Sequence, residues 1–220
     1  MDFNFTENQK AIQASVRDFA QKHILPNRMV WDESQHMPRE LFREMGAMGL
    51  MGLLVPETYG GAGLGYFEYK IVIEEIAQVC GSIGLSVAAH NSLCTNHILM
   101  FGSEDQKQRF LPALASGEHL GAWGLTEANT GSDAMRMQCT ASRDEARKGW
   151  VMNGTKNWIT HGISAEIAVV LARTGDLLDS RGITAFVVRR EQAGFTGGKK
   201  ENKLGMRSSE TAEMVFTDCF

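Results

Sequence analysis

Hydrophobic periodicity changes once along this chain, near residues 117–121, and that change restricts the fold more than any single motif. Before it, apolar residues recur at helical spacing; after it, they sit in short runs separated by turn residues. In the first half, Thr6 with Gln9 forms a capping-box pattern, and Ile12, Val16, Phe19 and Ala20 then fall on one face. That helix is expected to end near Pro26, and Pro38 suits the first position of a second one carrying Leu41, Met45 and Met48. A loop from Pro56 through GGAGLG at 60–65 precedes a third helix over Tyr66 to Val79. A fourth, from Ser82 to about Phe101, has the apolar, small-residue texture of a buried element. Ser103 and Gln106 open a further capped helix in which Pro112 predicts a break or kink.

The second half offers strand candidates at AWGLT, MQCTAS, GWVMNGT, IAVVLA, ITAFVV and EMVF, with Asn153-Gly154 as a hairpin signal because both residues tolerate positive φ. The expectation is therefore α+β: an all-α helical domain over 1–118 followed by a β-barrel or sandwich-like domain over 119–220. The last residues, ThrAspCysPhe, follow a strand candidate directly, which suggests a truncated chain.

Composition narrows the function classes. A hydrophobic fraction of 43% with 22% charged residues and net charge −4 supports a packed core and argues against disorder. The densest basic cluster, Lys199, Lys200 and Lys203, is interrupted by Glu201, so no nucleic-acid footprint is expected. Cys80, Cys94, Cys139 and Cys219 form no metal-type pair and no disulfide framework, which predicts reduced thiols. The N-terminal residues are polar, no apolar run is long enough to span a membrane, and the expected location is cytoplasmic. HExxH, GxSxG and P-loop motifs are absent, and the glycines at 60–65 follow no strand, so a flexible turn is the better reading there.

The most informative segment is Trp123 to Asp133, WGLTEANTGSD. Thr126, Asn129, Thr130, Ser132 and Asp133 around Gly131 can present donors to a polar ligand edge, or can simply stabilise an Asx-type turn. Local chemistry leaves both readings open.

LTEANTGSD at 125–133, NGTKNWIT at 153–160, KLGMRSSETA at 203–212, PETYGGAGLG at 56–65 and GSEDQKQRFLPALASG at 102–117 resemble, in order and spacing, the motifs of the acyl-CoA dehydrogenase family. The resemblance implies a subunit of helical, β and second helical domains, of which the last would lie outside these 220 residues. It implies FAD as cofactor, an acyl-CoA substrate, an electron-transfer flavoprotein as partner and a homotetramer, with a mitochondrial matrix location as the alternative to the cytoplasm. By match, Trp123, Leu125, Thr126, Ser132, Trp158, Ile159 and Thr160 would contact the flavin, and Ser132 also the substrate. The catalytic base would be a glutamate beyond Phe220, so no catalytic residue is assigned within the chain, which is expected to be inactive alone. Glu127 is better suited to organising its own loop through backbone hydrogen bonds. Thr130, Arg136 and His161 depart from the family pattern. A same-fold flavin oxidase or monooxygenase, and a non-catalytic flavin- or acyl-CoA-binding module, are the competing functions.

Overall fold

A computed structural model describes residues 4–176, 179 and 181–220. They divide into two compact units, one built from residues up to Glu118 with Asn202–Ser209 and the other from His119–Glu201 with Glu210–Phe220. The segment 202–209 thus joins the helices, whereas the sequence expectation assigned all of 119–220 to the β part.

In the helical unit, α1 (Glu7–Phe19) starts with the expected capping box: Gln9 N donates to Thr6 Oγ1 at 3.2 Å and Thr6 N to Gln9 Oε1 at 3.0 Å. A π-helical turn, Ala20–Ile24, extends it. α2 (Arg28–Ser34) and α3 (Arg39–Ala47) follow, and α2 carries no periodic apolar face that the sequence could have revealed. α4 (Tyr66–Val79) buries Ile71, Val72, Ile76 and Val79. The expected long fourth helix is instead α5 (Gly81–Ala89), a π-helical stretch His90–Thr95 and α6 (Asn96–Phe101). The wide turn lets two buried polar residues serve the loop at 50–53: His90 Nε2 lies 3.0 Å from Met51 O, while Asn91 accepts from Leu53 N and donates to Leu50 O, both at 3.0 Å. α7 (Glu104–Ala115) runs through Pro112 without ending there. Its missing amide would have served the carbonyl of Gln108, an exposed residue.

The β unit is one 7-stranded sheet of order β1-β4-β2-β3-β7-β6, with β5 on β4. The strands are β1 (Gly121–Gly124), β2 (Thr140–Asp144), β3 (Gly149–Thr160), β4 (Ile167–Arg173), β5 (Ile183–Arg189), β6 (Phe195–Lys200) and β7 (Thr211–Cys219). Alternation is clearest in β7, where Ala212, Met214 and Phe216 are buried. Asn153-Gly154 is not a turn. It lies inside β3 beside an irregularity in the β7 register, and a Cβ on Gly154 would stand 2.7 Å from Cys139 Cα. Here glycine permits close backbone approach rather than chain reversal. The reversal occurs between Asp144 and Gly149. All four cysteines are buried free thiols, and no described helix is long and apolar enough to cross a membrane.

Candidate functional site

β1 runs parallel to β4, with Gly124 opposite Val170, and then releases the chain into the loop that carries LTEANTGSD. The loop begins as a tight turn: Glu127 N donates to Thr130 O at 2.9 Å and Thr130 N to Glu127 O at 3.1 Å. Thr130 is buried and its hydroxyl donates to Arg136 O at 3.2 Å, so this departure from the family pattern closes the loop on itself.

The Glu127 carboxylate sits behind the turn. It accepts from Gln138 N at 2.6 Å, from Cys139 N at 3.0 Å and from Lys156 Nζ at 2.7 Å. Lys156 Nζ also donates to Leu125 O at 3.0 Å, and the lysine is 0% exposed. A buried carboxylate with two backbone amides and a cation is well satisfied, and that arrangement suits an organising group rather than a proton acceptor open to substrate. Arg173, at the end of β4, holds the returning limb by donating to Met137 O at 3.1 Å, to Asp176 O at 2.7 Å and to Met135 O. Burial pushes the Cys139 thiol up to about 11, so it is inert as a nucleophile at neutral pH.

β3 supplies the second limb. Asn157 N donates to Thr126 O at 2.8 Å, and His161 Nδ1 lies 3.1 Å from Gly121 O. The partners pair in reverse order, 157 with 126 and 161 with 121, so residues 121–126 lie antiparallel beside 157–161. Between them the ladder to β7 slips between Lys156 and Ile159, and Trp158 takes φ 57 while 56% exposed. A bulky residue in the left-handed region is a strained exception, and bulges of this kind re-aim side chains next to functional sites. His161 also has positive φ (61), but its ring is wholly buried, which removes it from exposed acid–base chemistry.

Thus Trp123, Leu125, Thr126, Trp158, Ile159 and Thr160 come together along one pair of strand segments. Trp123, Leu125, Thr126 and Thr160 are half-buried and Ile159 is buried. Ser132 is exposed further along the loop, and no described hydrogen bond ties it to the others. Arg136 pairs with Asp133 at 2.9 Å on the surface, where such pairs contribute little. Asn157 anchors this pair of segments, a ledge on the β unit, by donating through Nδ2 to Glu213 Oε1 at 3.1 Å. A concavity of the β unit, about 420 Å3 and lined by Trp150, Met152, Phe186 and Phe220, is apolar and holds none of these residues. The sequence reading missed Lys156, Asn157 and Arg173. Lys156 had a signal: it shares the inward parity of Met152 on β3, where a lysine needs a buried partner.

Comparison with known proteins divides the chain between residues 118 and 122. The model for "Acyl-CoA dehydrogenase, N-terminal domain" matches residues 6–118, and that for "Acyl-CoA dehydrogenase, middle domain" matches 122–219. Isovaleryl-CoA dehydrogenase, mitochondrial, from Solanum tuberosum is 45% identical over 218 residues, covering 98% of this chain and 52% of that protein. The structure of butyryl-CoA dehydrogenase from Megasphaera elsdenii aligns with TM-score 0.93 and 38% identity over 100% of this chain and 58% of the other. That of a glutaryl-CoA dehydrogenase from Mycobacterium smegmatis in complex with FADH2 aligns with TM-score 0.91 and 36% identity over 98% and 54%. The chain spans about half the length of these relatives.

Proposed function

Because the chain belongs to the acyl-CoA dehydrogenase family, whose members are oxidoreductases, we propose that it forms the flavin-binding part of an enzyme that dehydrogenates an acyl-CoA thioester between C2 and C3. The observation that carries this reading is the tether from Asn157 N to Thr126 O at 2.8 Å, which with the Lys156 bonds to Leu125 O and Glu127 brings LTEANTGSD and NGTKNWIT onto one ledge. The donor set suits a flat ring with polar edges: an exposed indole at Trp158, hydroxyls on Thr126 and Thr160, and open space around Gly131. When bound there, FAD would accept at N5 the hydride that leaves C3.

The chain's own residues position and donate. The Thr126 amide forms no hydrogen bond to another described residue, so it is available to a ligand edge, as is its half-buried hydroxyl. Trp158 would cover one side of the ring and exclude water, and Thr160 would donate near its reactive edge. Ser132, on the exposed loop, would meet the phosphate-bearing part of the cofactor or the CoA moiety. The proton at C2 would pass to a glutamate outside residues 1–220, leaving Glu127 as an organiser and the chain inactive by itself. Electron-transfer flavoprotein as acceptor, a homotetramer and a cytoplasmic or mitochondrial-matrix location complete the proposal.

The test is a flavin spectrum of the full-length protein titrated anaerobically with butyryl-CoA and isovaleryl-CoA. Bound FAD that bleaches with either supports the reading. A protein that binds no flavin even when FAD is added returns the alternative of a non-catalytic acyl-CoA-binding module. Rapid reoxidation by oxygen identifies an oxidase instead.

A further inference from the structure

The buried Lys156–Glu127 pair is more elaborate than a loop anchor requires. Glu127 could be satisfied by the two amides that it already accepts, Gln138 N and Cys139 N. Yet Lys156 Nζ is brought to 0% exposure and divided between Glu127 Oε1 at 2.7 Å and Leu125 O at 3.0 Å. Burying an ammonium group costs several kcal/mol unless its partners compensate, and replacing such pairs by apolar residues is often neutral or stabilising. Room for its stem is made by Gly124, where a Cβ would stand 3.3 Å from Lys156 Cγ. Stability alone is a weak reason to build this.

The peptide geometry supplies a stronger one. Leu125 C=O and Thr126 N–H belong to one planar trans unit, so they point in opposite directions. The carbonyl receives the buried ammonium, and the amide is directed away from it, without a bond to another described residue. Donation by a cation to the carbonyl end polarises the unit and strengthens its amide as a donor, an effect magnified where water is excluded. The following carbonyl, Thr126 O, is held by Asn157 N at 2.8 Å, so the unit cannot readily turn.

We propose that Lys156 is a positioning and tuning residue that charges the Leu125–Thr126 peptide from behind, strengthening the Thr126 amide toward an electron-rich ring edge and stabilising the reduced cofactor, with Glu127 setting the net charge. This rests on the assignment of flavin to the ledge. Lys156 touches neither substrate nor cofactor in this scheme; it acts through the peptide. Two opposite charges behind one peptide predict two opposite effects. Loss of Lys156 disfavours the more negative, reduced form, and loss of the Glu127 charge favours it.

The experiment uses the full-length protein with its FAD and reads the midpoint potential of the bound flavin by dye equilibration, alongside thermal melting. Flavin content of the unmodified protein is measured first, and its absence fails the flavin assignment before this proposal is reached. With flavin present, Lys156→Met is expected to lower the potential by about 30 mV or more, a roughly tenfold change in relative affinity for the two redox forms of a two-electron couple. Glu127→Gln is expected to raise it, and Lys156→Arg to stay near the parent value. Unchanged potentials, or shifts of the same sign in Lys156→Met and Glu127→Gln, overturn the proposal in favour of a purely structural pair. If Lys156→Met loses its flavin, Glu127→Gln decides alone: a higher potential supports the proposal, and a lower or equal one overturns it.

Discussion

Each unit of the molecule sets a buried glutamate against a cation, and the two pairs differ in what surrounds them. In the helical unit, Glu75 is 3% exposed and accepts from Arg17 Nε and Nη2 and from Gln13 Nε2, all at 2.8 Å, but the Arg17 side chain is 57% exposed. The pair clasps α1 to α4 from the rim of the core, with water at its back. In the β unit, Lys156 and Glu127 are both enclosed, and the side-chain bonds they make end on the backbone of a functional loop or on each other. A rim pair fastens two elements together. An enclosed pair fixes the direction and polarity of a few peptide groups, and any error there is not relieved by solvent.

The contrast breaks most readily at Lys156. Lys156→Ala leaves Glu127 enclosed without its cation, and it should destabilise the β unit by about 3–5 kcal/mol, read as a fall in the urea midpoint. Glu75→Gln keeps the shape of the rim clasp and removes its charge, so a smaller loss of about 1–2 kcal/mol is expected from the same measurement. Its pH dependence sharpens the comparison. Hydrogen bonds from Arg17 hold the Glu75 carboxyl below its ordinary 4.5, with burial opposing them. A depressed folded value means that the contribution is present above the unfolded value and is lost as pH falls through the folded one. The stability gap between parent and Glu75→Gln should therefore be constant near neutrality and close below about pH 4. An unchanged gap down to pH 3 would show that packing, not charge, holds α1 on α4.

Smaller effects are expected where only the ledge surface changes. Thr126→Val with Thr160→Val should weaken FAD retention by roughly tenfold, as lost hydrogen bonds do, while leaving the melting temperature of the apoprotein within error. Unchanged flavin content would count against the ledge. Arg136→Ala removes an exposed pair with Asp133 and should alter stability by no more than about 0.5 kcal/mol, checked by the same urea titration.

Local rules carried much of the fold. The boxes at Thr6/Gln9 and Ser103/Gln106 cap α1 and α7 as read, because a cap is a short-range bargain between neighbouring backbone groups. Where distant segments decide, local rules misled. Asn153-Gly154 has the residues of a hairpin turn, but it lies inside β3, with Cys139 packed where a Cβ on Gly154 would stand. FTGGKK, from Phe195 to Lys200, has too little alternation to read as a strand, yet it pairs with β7, with Phe195 opposite Phe216. In the KLGMRSSETA motif, Arg207 N donates to Asp32 Oδ1 at 2.8 Å and Ser86 Oγ to Ser209 Oγ at 3.2 Å, which binds its first part to the helical unit. No neighbour in sequence announces those partners.

By itself the sequence determined the helical-then-β order, the caps and the motifs that mark the ledge, because periodicity and turn chemistry act over a few residues. Only the tertiary structure decided how the ledge is held. The left-handed Trp158, the Asn157–Thr126 tether and the enclosed Lys156 each depend on strands far apart in the chain meeting at one register. A buried charge reveals its purpose only when the group that compensates it can be seen.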